Sequence, residues 1–130
     1  MVRKVLGVVV GAIAWLLGFY ALAFGLAALW QDYGIHGGQF IRQGVFTFTA
    51  PMACCNLLFW VLAEVLAGWV AMKIARHRGP VQLLAGLLVA YLALNHLVLY
   101  WPRFPWWYNL GVVVPAGFAV LWGGRLASRR

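Results

Sequence analysis

Four long apolar runs, separated by short polar or aromatic breaks, dominate the chain. They cover about residues 5–30, 51–72, 81–101 and 106–123. Each comes close to or exceeds the ~20 residues a helix needs to cross hydrocarbon at a rise of ~1.5 Å per residue. A polar outer loop, 31–50, joins the first two runs, and a basic turn, 73–80, joins the second to the third. Within the loop, residues 45–50 alternate apolar and polar as a strand would. An open strand edge cannot be satisfied in lipid, so this piece is expected to be an interfacial lead-in. The pattern predicts an all-α polytopic protein: one membrane domain, residues 1–130, with four transmembrane helices in an up-down bundle.

Local signals sharpen the boundaries. Pro51 suits the first turn of the second helix, with Thr49 or Ala50 as its cap. Pro102 and Pro105 break the chain between the third and fourth helices, and Pro115 inside the fourth predicts a bend. Along the first helix, Gly7, Gly11, Ala14, Gly18, Ala21, Gly25 and Ala28 recur at alternating steps of four and three. That spacing keeps small residues on one face. In lipid, helices associate through close packing, so the seam is expected to be a helix–helix interface, within the chain or with a partner.

Composition places this architecture in a membrane. The chain is 65% hydrophobic and only 9% charged, against about 25% charged in soluble domains. A net charge of +8 would suggest nucleic acid in a soluble protein, but no basic face with interleaved aromatic residues exists here. The basic residues instead sit at the ends of the apolar runs, where anionic headgroups are the natural partner. Lys73, Arg76, Arg78 and Arg125 are the expected headgroup contacts. Arg3, Lys4, Arg129 and Arg130 fall on the same side, and only Arg42 and Arg103 on the other. The positive-inside rule then puts both termini in the cytoplasm of a cell inner membrane. Trp30, Tyr33, Tyr100, Trp101, Trp106, Trp107 and Tyr108 gather as an aromatic belt at the opposite, outer interface.

Candidate chemistry is sparse. Glu64 is the one acidic residue inside an apolar run, and an ionisable group in a span is a functional hypothesis by default. No basic residue is expected at its depth, so it should be carried as the neutral acid, facing another helix. Asn56, Asn95 and His96 are placed near one level in the outer half and are expected to hydrogen-bond between helices. Cys54 and Cys55, with His96, form the only arrangement suggestive of a soft metal or redox site. Adjacent cysteines on a helix point ~100° apart, however, and lack C-x-x-C spacing. They read first as small apolar residues, with no metal and no cofactor. Asp32 and His36 supply two ligand types where a metal site needs three or four, and read as solvated loop residues. No phosphate-cradling loop, H-E-x-x-H or paired carboxylate is present, so no enzyme is expected.

Two resemblances complete the reading. The second half, through Gly68, Ala71, Ile74, Ala75 and Arg76, then Pro105, Trp106 and Tyr108, then Gly123, Gly124, Arg125 and Leu126, resembles four-span bacterial inner-membrane proteins with no agreed activity. The dozen residues around Leu62, Ala63, Glu64, Val65 and Leu66, with Lys73, are similar to the A-E-V signature of small multidrug-resistance transporters. That resemblance implies a glutamate exchanging protons for organic cations in an antiparallel dimer. Here the motif sits on the second helix, the later helices do not match, and the charge bias opposes dual topology. The expected function is a non-enzymatic scaffold or accessory subunit packing through the small-residue face, in a homo-oligomer or larger membrane complex. A small proton-coupled transporter using Glu64 is the alternative, and an outer-leaflet metal or redox site at Cys54, Cys55 and His96 a second one.

Overall fold

The computed structural model describes residues 1–129; Arg130, counted above on the basic side, lies outside them. The chain is all-helical: α1 (Val2–Leu29), α2 (Gln31–Gln43), α3 (Ala50–Ala75), α4 (Arg78–Ala93) and α5 (Trp106–Ser128). The last two turns of the third run, Leu94–Leu99, continue α4 as a π-helix. Four of these segments, Val2–Leu29, Ala50–Ala75, Arg78–Leu99 and Trp106–Ser128, are long and apolar enough to cross a membrane. The protein is a multi-pass membrane protein.

The polar loop expected over 31–50 is mostly helix. At ~1.5 Å per residue, the 13 residues of α2 reach about 20 Å. With Gln31, Asp32, His36, Gln39, Arg42 and Gln43 in the sequence, α2 is too short and too polar to span. Trp30, in an extended conformation, separates it from α1. Gly44 closes it in the left-handed region at φ 65°, a conformation a Cβ disfavours. Within 31–50, only 44–49 lacks regular structure. His36 Nδ1 meets Thr47 Oγ1 at 2.8 Å, and Thr47 donates to Gln39 Oε1, so the segment is tied back onto α2. The two residues considered as metal ligands are thereby explained: His36 is a tether, and Asp32 is exposed in the first turn of α2.

Small residues set how closely the spans approach. A Cβ on Gly7 would meet Ala75 Cβ and Ala71 O, one on Gly11 would meet Ala67 O and Ala71 Cβ, and one on Gly18 would meet Leu66 and Ala63. The N-terminal end of α1 therefore lies against the C-terminal end of α3. On another face of α3, a Cβ on Gly68 would strike the Val120 carbonyl, and one on Gly123 the Val65 carbonyl. Here α3 and α5 touch backbone to backbone. Val81 against Gly124 and Val89 against Gly117 bring α4 onto α5. The sealed centre of this packing contains Leu84, Leu92, Val112 and Val120. Pro115 does not interrupt α5, which is helical from Trp106 to Ser128.

The seam of α1 is thus engaged inside the chain along its first half. Gly25, further along, has nothing within 4 Å, and Ala21 and Ala28 are exposed. Beyond Gly18 the close glycine-mediated approach of α1 to α3 ends, Phe19 meets Trp60 ring to ring, and the space between the helices opens into the cavity described next.

Candidate functional site

Two features lie at different depths along α3. Nearer its start, α1, α2, α3, α4, α5 and the 44–49 and 100–104 segments line a partly open cavity of about 450 Å³, with Tyr20, Phe24 and Tyr91 exposed at its edge. This is within the size range of ligand sites, ~300–1,000 Å³. Its walls are mostly aromatic: Trp15, Phe19, Tyr20 and Phe24 from α1, Tyr33 and Phe40 from α2, Phe46 and Phe48 after it, and Trp60 from α3. Tyr91, His96, Tyr100, Phe104 and Tyr108 complete them. Trp60 stacks on Phe19 with ring centroids 4.1 Å apart and lies 5.5 Å from Trp15. Tyr100 stacks on Phe104 at 4.9 Å. No Asp, Glu, Lys or Arg lines the space.

Few polar groups face this aromatic lining, and each is held. Asn56, on the buried face of α3, accepts a hydrogen bond from the Tyr33 hydroxyl, which joins α2 to α3. His96 sits in the π-helical stretch, where Tyr100 N–H donates to Asn95 O, one residue further back than in an α-helix. Such wide turns occur often at functional sites, because they re-aim a side chain. The His96 ring is buried, with Nδ1 3.0 Å from Asn109 Oδ1 on α5. Asn109 is itself oriented by donating its Nδ2 to the Phe104 carbonyl at 3.4 Å. Burial, with the nearby Cys55 adding to it, pushes the Tyr33 phenol up from 10.0 to about 12, so it stays a donor.

Glu64 lies two turns further along α3. It is 0% exposed, and among the described residues neither carboxyl oxygen has a hydrogen-bond partner. Its neighbours in the sequence explain the burial. Ala63 and Ala67 face α1, while Val65 and Gly68 face α5, so Glu64 is enclosed at the junction. The expectation that it faces other helices matches this position, and among the described residues no hydrogen bond crosses the bundle from it.

The remaining sequence candidates separate. Asn56 and His96 both line the cavity. Asn95 also borders it, but its Nδ2 donates to Tyr91 O on its own helix, so it does not link helices as expected. Cys54 is exposed and Cys55 half-buried, both as free thiols. Among the described residues no three His, Cys, Asp or Glu side chains come together, so Cys54, Cys55 and His96 do not form a ligand set. Lys73, Arg76, Arg78 and Arg125 are exposed at the basic end, with Lys73 lying over the Trp69 ring at 5.6 Å. Asn109, Trp15, Trp60 and the phenylalanines of the wall were not singled out from the sequence. A lone asparagine, Asn109, in the fourth apolar run is the signal that could have led there.

Comparison of the chain with protein-family models, curated proteins and solved structures finds no match in any of the three.

Proposed function

We propose that the protein is a non-enzymatic small-molecule-binding protein of the bacterial inner membrane. It is a four-span up-down bundle with both termini in the cytoplasm, and its cavity lies in the outer half of the bilayer. The cavity is the observation that carries this reading: about 450 Å³ of aromatic-walled, uncharged space between packed helices. Such a wall favours a lipophilic ligand, and the few oriented polar groups would fix its pose. The orientation rests on basic residues at one end and the aromatic belt at the other. The scaffold reading drew on the small-residue seam, whose first half is engaged with α3; ligand binding is therefore preferred.

Gly37 offers a direct test. It lines the cavity, and a Cβ there meets nothing within 4 Å, so Gly37→Phe should fill the space without disturbing α2. Protein in nanodiscs should bind the lipophilic fluorophore N-phenyl-1-naphthylamine, read by energy transfer from tryptophan, and Gly37→Phe should weaken binding at least tenfold. Equal binding by the two proteins would overturn the proposal.

Glu64 supports a second reading, proton-coupled transport. A fully enclosed carboxyl with no partner costs stability and is seldom kept without a use. Proteoliposome flux of a lipophilic cation, driven by a pH gradient, should disappear in Glu64→Gln. Flux that is unchanged and independent of pH would end that reading.

A further inference from the structure

His96 makes one hydrogen bond, and its geometry decides what the rest of the ring can do. Asn109 donates through Nδ2 to the Phe104 carbonyl, which leaves its Oδ1 to face His96 Nδ1. Oδ1 is an acceptor only, so in the neutral ring Nδ1 carries the proton and Nε2 carries the lone pair. Nε2 forms no hydrogen bond among the described residues. Nor is it one of the sealed unpartnered atoms, which are Trp15 Nε1, Trp60 Nε1 and the two Glu64 oxygens. His96 is 5% exposed and lines the cavity, so the cavity is where Nε2 opens.

Asn56 repeats the logic with the opposite polarity. Its Oδ1 is taken by the Tyr33 hydroxyl, its Nδ2 is unpaired and unsealed, and the residue is 4% exposed on the cavity wall. The two sites are close to a common ring. Asn56 is one helical turn from Trp60, ~5–6 Å on a helix surface, and the His96 ring is 6.2 Å from Trp60. One acceptor and one donor, both built and both unused, therefore face an aromatic chamber with no charged side chain in its wall.

We infer that the cavity takes a neutral lipophilic phenol, whose ring packs among the aromatic residues. Its hydroxyl donates to His96 Nε2, and the Asn56 amide is a second polar group on the same wall. A hydroxyl satisfies the imidazole lone pair; an ether or a hydrocarbon leaves it buried and unmatched. This inference rests on the small-molecule reading above and adds the class of ligand.

The test compares 4-hexylphenol with 4-hexylanisole, which differ in one methyl on the oxygen, by displacement of the naphthylamine probe in nanodiscs. Affinity is corrected for each compound's partition into protein-free nanodiscs. The phenol is expected to bind at least tenfold more tightly, and His96→Phe should abolish that preference. On the unmodified protein, the imidazole 15N resonances should show an unprotonated Nε2, shifted by the phenol and not by the anisole. Equal affinities, or a His96 ring protonated at Nε2, would overturn the phenol assignment while leaving the cavity a binding site. Displacement by neither compound overturns both readings, and a preference that survives in a folded His96→Phe overturns the role of Nε2.

Discussion

Tyr33 shows how one side chain of a short helix anchors to a span. It is 3% exposed and donates to Asn56, so Tyr33→Phe would leave a buried amide oxygen without a donor. That should cost about 1–3 kcal/mol, measured by unfolding in mixed detergent micelles. The phenol also sets a pH dependence. The folded form holds its proton up to about 12 against 10.0 for the free group. Between those values the unfolded chain releases the proton first, so stability is intact below pH 10 and declines as pH rises through 12. The difference between wild type and Tyr33→Phe in a spectrophotometric titration should be one late-titrating tyrosine. Glu64 makes the contrasting case. Among the described residues it has no partner to lose, so Glu64→Gln, which keeps shape without the acid, should change stability by less than about 1 kcal/mol. A loss several times larger would mean that the carboxyl holds a group the bundle needs.

Among the elements, the crossing of α3 and α5 is the least forgiving. A Cβ at Gly68 or Gly123 would overlap a backbone carbonyl of the opposite helix, and backbone cannot move aside as a side chain can. Gly68→Ala and Gly123→Ala should each destabilise by several kcal/mol or force α3 and α5 apart, since strain in a tight core alone costs about 1–3. Gly25→Ala should be neutral or slightly stabilising, because nothing lies within 4 Å and alanine is the better helix former by about 1 kcal/mol. The same unfolding assay ranks all three. Legibility follows this division. Helical spacing of small residues is visible in a sequence, and the α1 seam could be read from it. Which helix fills that seam, and that Gly68 meets Val120 and Gly123 meets Val65, some fifty residues apart, depends on pairing that a single chain does not spell out. Helix α2 was hidden for a different reason: Gly34, Gly37 and Gly38 lower helix propensity, and packing of Tyr33 and Phe40 outweighs it.

For the whole molecule, hydropathy made the four spans legible because lipid leaves the backbone no alternative to helix. The cavity was not legible, since aromatic residues scattered over five segments look individually like an interfacial belt. Only the folded chain gathers Trp15, Phe46, Trp60 and Phe104 around one space. Orientation gives the last test, because it decides which leaflet the cavity serves. Lys4 lies beside His77 and Pro80, and Val81 beside Gly124, so the first residues of α1, the basic turn and the end of α5 share one end. Phe40, Phe46, Phe104 and Tyr108 pack together at the other. Eight of the ten basic residues fall at the first end in the four-span reading, so that end should face the cytoplasm. A fluorescent-protein fusion at either terminus should fluoresce in bacterial cells, and alkaline phosphatase inserted in 44–49 should be active. The reverse pattern would place the cavity in the cytoplasmic leaflet, and its ligand would then have to come from inside the cell.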